Sequence, residues 1–147
     1  MAKIALLHSF FVLFSLHSLF AGDWSQFRGP TGQGHADFKK LPLRWSATDK
    51  VIWKTELPGT AWSSPVLGGS KLFLTNAVPN GESISLRALS VDALTGNLDW
   101  DVELFRMESA QRIHRKNSHA SPTPFLDDDR LYAVSYTHLT LPTNREV

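Results

Sequence analysis

At 147 residues, with 42% hydrophobic and 20% charged residues, the chain has the balance of one globular domain, neither a disordered segment nor a multi-span membrane protein. Its formal net charge of +1 supplies no electrostatic footing for nucleic acid or an acidic surface as partner. The chain has no cysteine, which excludes disulfides, thiolate metal sites, Cys nucleophiles and lipid attachment to an N-terminal Cys.

Residues 1–22 read as a secretory signal peptide. Met1-Ala2-Lys3 is a short positive start, Ile4 to Phe20 an apolar run broken only by His8, Ser9, Ser15, His17 and Ser18, and Ala21-Gly22 a small-residue end before Asp23. The competing reading is a transmembrane anchor, since Leu19 or Phe20 makes a poor −3 residue for cleavage. The run is shorter than the ~20 residues a spanning helix needs, and no positive cluster follows it. The expectation is an exported protein, periplasmic or secreted, with no stable membrane span after cleavage.

Residues 23–50 read as a turn-rich arm, its glycines and prolines breaking any continuous helix or strand. Trp24 and Phe27 are placed to pin it to the domain. Gly29, Gly32 and Gly34 superficially suggest a phosphate loop, but no strand precedes them and no helix start follows. Beyond Leu43 the pattern is all-β, with short alternating runs bounded by Gly, Pro, Asn and Asp. The expected strands are Val51–Leu57, Ser63–Leu67, Lys71–Ala77, Ile84–Val91, Leu98–Leu104, Thr123–Leu126 and Arg130–Ala133. Turns fall at Pro58-Gly59, Gly68-Gly69, Pro79-Asn80-Gly81, Thr95-Gly96-Asn97 and Asp127-Asp128-Asp129.

An internal repeat sets the expected architecture. Ser64 to Phe73 matches Thr123 to Tyr132 without a gap: hydroxyl, Pro65 or Pro124, two apolars, a three-residue turn, a base, Leu and an aromatic. Trp53-Lys54-Thr55-Glu56-Leu57 matches Trp100-Asp101-Val102-Glu103-Leu104. Repeats of roughly 40–50 residues with four strands each belong to propeller blades, and rings hold ~4–8 of them. The chain is expected to hold one four-stranded blade and the start of a second within residues 51–133.

Ala88 to Trp100, ALSVDALTGNLDW, resembles the tryptophan-docking motif of PQQ-like (pyrrolo-quinoline quinone) propeller repeats, carried here by Asp92, Thr95, Gly96 and Trp100. DWSQFRGP at Asp23–Pro30, IWKTELPG, WSSPV and HRKNSHASPTP at His114–Pro124 are similar to the N-terminal region and first inter-blade connection of exported proteins of that family. The resemblance implies that Trp53, Pro65, Asp92, Thr95, Gly96, Trp100 and Pro124 are structural repeat residues, with Trp53 and Trp100 packing between blades. It also implies a non-catalytic scaffold that binds a protein, peptide or glycan. The alternative it carries is a quinoprotein dehydrogenase using PQQ and calcium to oxidise an alcohol or sugar. The chain itself shows no evident cofactor or catalytic residue. After Ala133 the family pattern stops: residues 134–147 read as a tail derived from a sequencing adapter, since Val134 to Thr143 matches one frame of such an adapter.

Candidate sites each have a plainer reading. His114 and His119 are metal-ligand types without a third ligand, and read as loop histidines. Asp127-Asp128-Asp129 suggests calcium, but reads as a solvated hairpin. Arg106, Arg112, Arg115 and Lys116 make one long connection basic and able to meet an anionic partner. Ser63-Ser64 with His119 lacks the sharp elbow of a nucleophile site.

Overall fold

A computed structural model describes residues 23–36, 41–110 and 112–135, together with the backbone of residues 140–143. The expected signal peptide lies outside the described residues. Among those described, there is no helix, and hence none long and apolar enough to cross a membrane.

Among the described residues, seven strands form two antiparallel sheets. β1 (Val66–Gly68), β2 (Lys71–Asn80), β3 (Ser83–Asp92) and β4 (Leu98–Met107) make a four-stranded meander in chain order. β5 (Phe125–Asp127) and β6 (Arg130–Val134) make a second hairpin, with β7 (Thr140–Thr143) paired along β6 through Ala133↔Leu141 and its neighbours. β2 and β3 lie at the centre of the first sheet and carry most of its buried residues: Thr75, Asn76 and Ala77 on β2, and Ile84 to Leu86 and Ala88 to Val91 on β3. The all-β expectation therefore holds for the described residues.

The sequence repeat becomes a repeat of register. In the first hairpin Val66 faces Phe73, Leu67 faces Leu72 and Gly68 faces Lys71. In the second, Phe125 faces Tyr132, Leu126 faces Leu131 and Asp127 faces Arg130. These are the same positions 59 residues on, and Ser64 N–H donates across that interval to Thr123 Oγ1 at 3.0 Å. The turns match too: Gly69 at φ 56° is replaced by Asp128 at φ 49°. Aspartate is among the few residues with a side chain that tolerate left-handed backbone.

One expected strand is absent. Residues 51–57 belong to no sheet among the described residues, although their exposure alternates as a strand's would. Other differences are at ends. Ser63 and Ser64 precede β1 because their N–H groups turn to Ala120 O and Thr123 Oγ1, and Pro65 has no N–H to give. Pro124 likewise delays β5 to Phe125. β2 runs on through Pro79, which was expected in a turn, and the reversal falls at Gly81-Glu82. β1 reaches only as far as Phe73, so one flank of β2 is open at Pro79 and a residue without an N–H fits there. β4 continues to Met107 across two register shifts, at which it carries one extra residue each time, Leu104 opposite the Leu86–Arg87 step of β3 and Asp99 opposite the Ser90–Val91 step.

Among the described residues, two clusters of buried apolar side chains stand out. Ala77, Ile84, Leu86, Met107 and Ala120 form one within the first sheet and the connection that follows it. Val66, Ala88 and Leu131, with Phe73, Trp100, Leu104 and Leu126 packed on them, form the other, which joins the two sheets. Gly68 lets them meet closely: a Cβ there would lie 2.3 Å from Leu126 Cδ2.

The arm is also part of this junction. Trp24 exchanges two backbone hydrogen bonds with Leu67, at 2.8 and 2.9 Å, and Ser25 O accepts from Leu126 N–H at 2.8 Å. The arm thus bridges β1 and β5. Trp24 holds the arm to β1 through its backbone, while its ring packs within the arm, 2.7 Å from where a Cβ on Gly29 would be. Phe27 does not pin it; that ring is 60% exposed, with Arg28 at 5.8 Å from its centroid.

Candidate functional site

The turn between β3 and β4 gathers the residues singled out by the repeat. Asp92 ends β3, and its Oδ1 accepts from Leu94 N–H at 3.0 Å, Thr95 N–H at 2.8 Å and the Thr95 hydroxyl at 3.0 Å. Donation from Thr95's N–H and then its hydroxyl holds the Asp92 carboxyl below its usual value, with Leu94 N–H adding to the effect. The backbone closes behind it, Gly96 N–H donating to Asp92 O at 2.8 Å and Asp92 N–H to Asn97 O at 2.9 Å. Gly96 takes φ +75°, a left-handed conformation that glycine adopts without a Cβ penalty.

Trp53 lies on this turn from outside. Its Nε1–H donates to Ala93 O at 3.0 Å, and Thr55's hydroxyl donates to Gly96 O. A Cβ on Gly96 would sit 2.5 Å from the indole. The turn is therefore a docking site for an indole, built by an aspartate, a threonine and a glycine four residues along from the aspartate. Trp100, the other tryptophan of the repeat, is half-buried in the cluster joining the two sheets, its ring centroid 6.0 Å from that of Phe73. Of the two repeat prolines, Pro124 is fully buried and Pro65 exposed.

The long connection after β4 is held down at its second half. Trp62 and Ser63 N–H both reach Ala120 O, at 3.2 Å. Ser118, His119 and Ala120 are buried, and Ser121 bonds to Asn117 Oδ1 and to Ser118 O. His119 is thus enclosed in the connection and His114 exposed, its Nδ1 accepting from Lys116 N–H at 3.2 Å. The two do not converge on a metal position: no group of three or more His, Asp or Glu side chains fit for a metal occurs among the described residues. Asp127, Asp128 and Asp129 are exposed on their hairpin, with Asp129 4.0 Å from Arg130. The residues present do not fit a calcium cage, and no step through PQQ or calcium follows from them. Ser63's hydroxyl is engaged with Thr75, donating to its carbonyl at 3.3 Å and accepting from its hydroxyl at 3.2 Å.

Of the four basic residues, Arg106 is taken up by Glu103 at 2.7 Å. That contact raises the Arg106 pKa, while Ser85's hydroxyl and then Arg106 lower that of Glu103. Arg112, Arg115 and Lys116 are exposed, and no ion pair among the described residues engages them.

Sequence reasoning missed a polar ladder across β2, β3 and β4. Arg87 Nε lies 2.6 Å from Asp101 Oδ1, Ser85 Oγ 2.5 Å from Glu103, and Lys71 Nζ 2.8 Å from Asp99. The signal was present as polar residues two apart on both strands, Ser85 and Arg87 on β3 and Asp101 and Glu103 on β4; Arg87 faces Glu103 in the register and reaches Asp101 diagonally, where cross-strand groups of opposite charge attract.

The fold and this site define an all-β chain in which a four-stranded meander is followed by a second copy of its own first hairpin. Comparison with family models, with curated proteins and with solved structures gave no match.

Proposed function

We propose that the chain is part of a propeller built from repeated four-stranded sheets. More particularly, it is an exported PQQ-like repeat protein whose ring is a non-catalytic platform for a protein, peptide or glycan. The observation that carries this reading is the conjunction of two hairpins in one register 59 residues apart with an indole docked on the Asp92–Gly96 turn. Such a sheet buries its faces only against neighbours, and a tryptophan seated on the next sheet's turn is a device for holding them. Apolar residues left open, Leu98 at 44% and Phe105 at 38% exposure, fit a sheet that has further neighbours. The exposed Arg112, Arg115 and Lys116 on a loop anchored at Ala120 are the surface that the platform would offer to an anionic group.

The test has two arms on the protein isolated from the cell envelope. N-terminal sequencing is expected to begin near Asp23, and recovery with Met1 in place would refute export by cleavage. With PQQ and Ca²⁺ added, dye reduction in the presence of alcohols or sugars is expected to stay at the protein-free rate. Substrate-dependent turnover would overturn the non-catalytic reading and favour the dehydrogenase.

A further inference from the structure

Positive charge is neutralised within the first sheet and left open in the connection that follows it. Lys71 Nζ lies 2.8 Å from Asp99, Arg87 Nε 2.6 Å from Asp101 and Arg106 Nη2 2.7 Å from Glu103. Past Glu108 the sequence has no carboxylate side chain until Asp127, and Arg112, Arg115 and Lys116 fall inside that interval. All three are exposed, and no ion pair among the described residues engages them. The stretch that carries them is tied at both ends. Ala110 N–H donates to Glu82 O at 3.0 Å on one side, and on the other the buried Ala120 accepts at its carbonyl from Trp62 and Ser63 N–H. Between these ties Lys116 N–H donates to His114 Nδ1 at 3.2 Å, within a turn at Arg115-Lys116. A loop fixed to a sheet at both ends has less freedom to lose on binding than a loose one.

The chemistry around these cations selects among anionic partners. A membrane surface is held by charge together with apolar side chains that enter it, yet Ile113, the large apolar residue of the stretch, is turned half inward. Single-stranded nucleic acid is held by aromatic rings on which its bases stack, and no Phe, Tyr or Trp occurs from Arg106 to Pro124. A protein partner draws most of its binding energy from buried aromatic or apolar anchors, which the same stretch does not offer. What fits is a hydrophilic polymer with repeated anionic groups. A planar carboxylate matches the two-pronged donor face of an arginine, and lysine adds a point charge beside it. We propose that residues 112–116 bind an acidic glycan, its uronate carboxylates taken by Arg112 and Arg115 with Lys116 as the third positive charge. This rests on the platform reading and deepens it by naming the polymer that the basic loop receives.

The test measures binding of the full chain to polygalacturonate, with neutral dextran, phosphatidylglycerol vesicles and oligo(dT) as comparison probes. The parent is expected to bind polygalacturonate and not dextran, and to weaken about a hundredfold for a tenfold rise in salt, as three neutralised charges imply. Arg112→Gln/Arg115→Gln/Lys116→Gln is expected to bind at least about tenfold more weakly. Arg44→Gln/Lys50→Gln/Lys54→Gln removes the same charge from other exposed positions and is expected to stay within about twofold of the parent. The dextran comparison and the salt dependence are read on the parent, so they stand whatever a substitution does to the fold. Absence of parent binding to polygalacturonate would overturn the proposal, as would equal weakening in the two variants, which would make net charge the cause. Tighter binding to the vesicles or to oligo(dT) than to polygalacturonate would overturn it too, by showing a different partner. None of these outcomes bears on dye reduction with PQQ or on cleavage near Asp23, which decide the platform reading.

Discussion

Replacing Gly96 by alanine strikes the docking turn at its tightest point. Two costs combine, and they are separable. An L-residue at the φ of +75° found at Gly96 costs about 1 kcal/mol of backbone strain. The new Cβ would lie 2.5 Å from the Trp53 ring, so the indole must leave. Its departure forfeits the Nε1–H bond to Ala93 O, about 1 kcal/mol, and part of its packing area, about 1 kcal/mol more. The sum is a loss of about 3 kcal/mol in the intact chain, but only the backbone share, about 1 kcal/mol, once Trp53→Ala has removed the ring. A double-mutant cycle with both substitutions, followed by urea unfolding and far-UV circular dichroism, therefore predicts a coupling of about 2 kcal/mol. If Gly96→Ala costs the same with and without Trp53, the indole is not seated on the turn and the reasoning is refuted.

Other perturbations follow from the same geometry. Gly69 also has a left-handed φ, +56°, but nothing lies within 4 Å of a Cβ there, so Gly69→Ala is expected to lose only the strain, about 1 kcal/mol, by the same unfolding measurement. Gly68→Val drives atoms into Leu126 Cδ2 and is expected to cost about 1–3 kcal/mol, part of it recovered by adding Leu126→Ala. Asp92, whose folded pKa lies below the ordinary value near 3.9, stabilises the turn above that value and ceases to as pH falls through the folded one. Thermal unfolding should therefore show Asp92→Asn less stable than the parent at pH 7, with the difference shrinking as pH falls below about 4; a gap that does not shrink on acidification contradicts the assignment. Arg87→Met leaves Asp101 and Glu103 facing a missing cation at a site where Arg87's side chain is only 24% exposed, and is expected to cost about 1–2 kcal/mol with weakened salt dependence.

Much of the fold was legible because alternation and turn chemistry coincide. Glycine at Gly69, Gly81 and Gly96 stands where the backbone needs positive φ, and the runs between them alternate, so β2, β3 and β4 were placed to within a few residues. The docking turn was legible as Asp92, Thr95 and Gly96 because each has a distinct local task. Trp53's partner was not deducible from spacing, since it lies 40 residues away on a turn of another element. The strand expected at 51–57 shows the limit of periodicity: the side chains announce a strand, but a strand exists only beside another, and pairing is a tertiary fact. The arm's bridge from Leu67 to Leu126 was illegible for a related reason, being made by backbone groups that every residue carries.

Underlying all of this is a single assertion, that the second hairpin packs on the first sheet as a repeat of it. Solution NMR reads it most directly. Nuclear Overhauser contacts are predicted between Leu126 methyls and Gly68 Hα, and between Leu131 and Val66, with Leu126 opposite Leu131 in the strand pairing as Leu67 is opposite Leu72. A one-residue slip in the 125–132 pairing, or a Leu126 side chain with no contact to Gly68, would contradict the account.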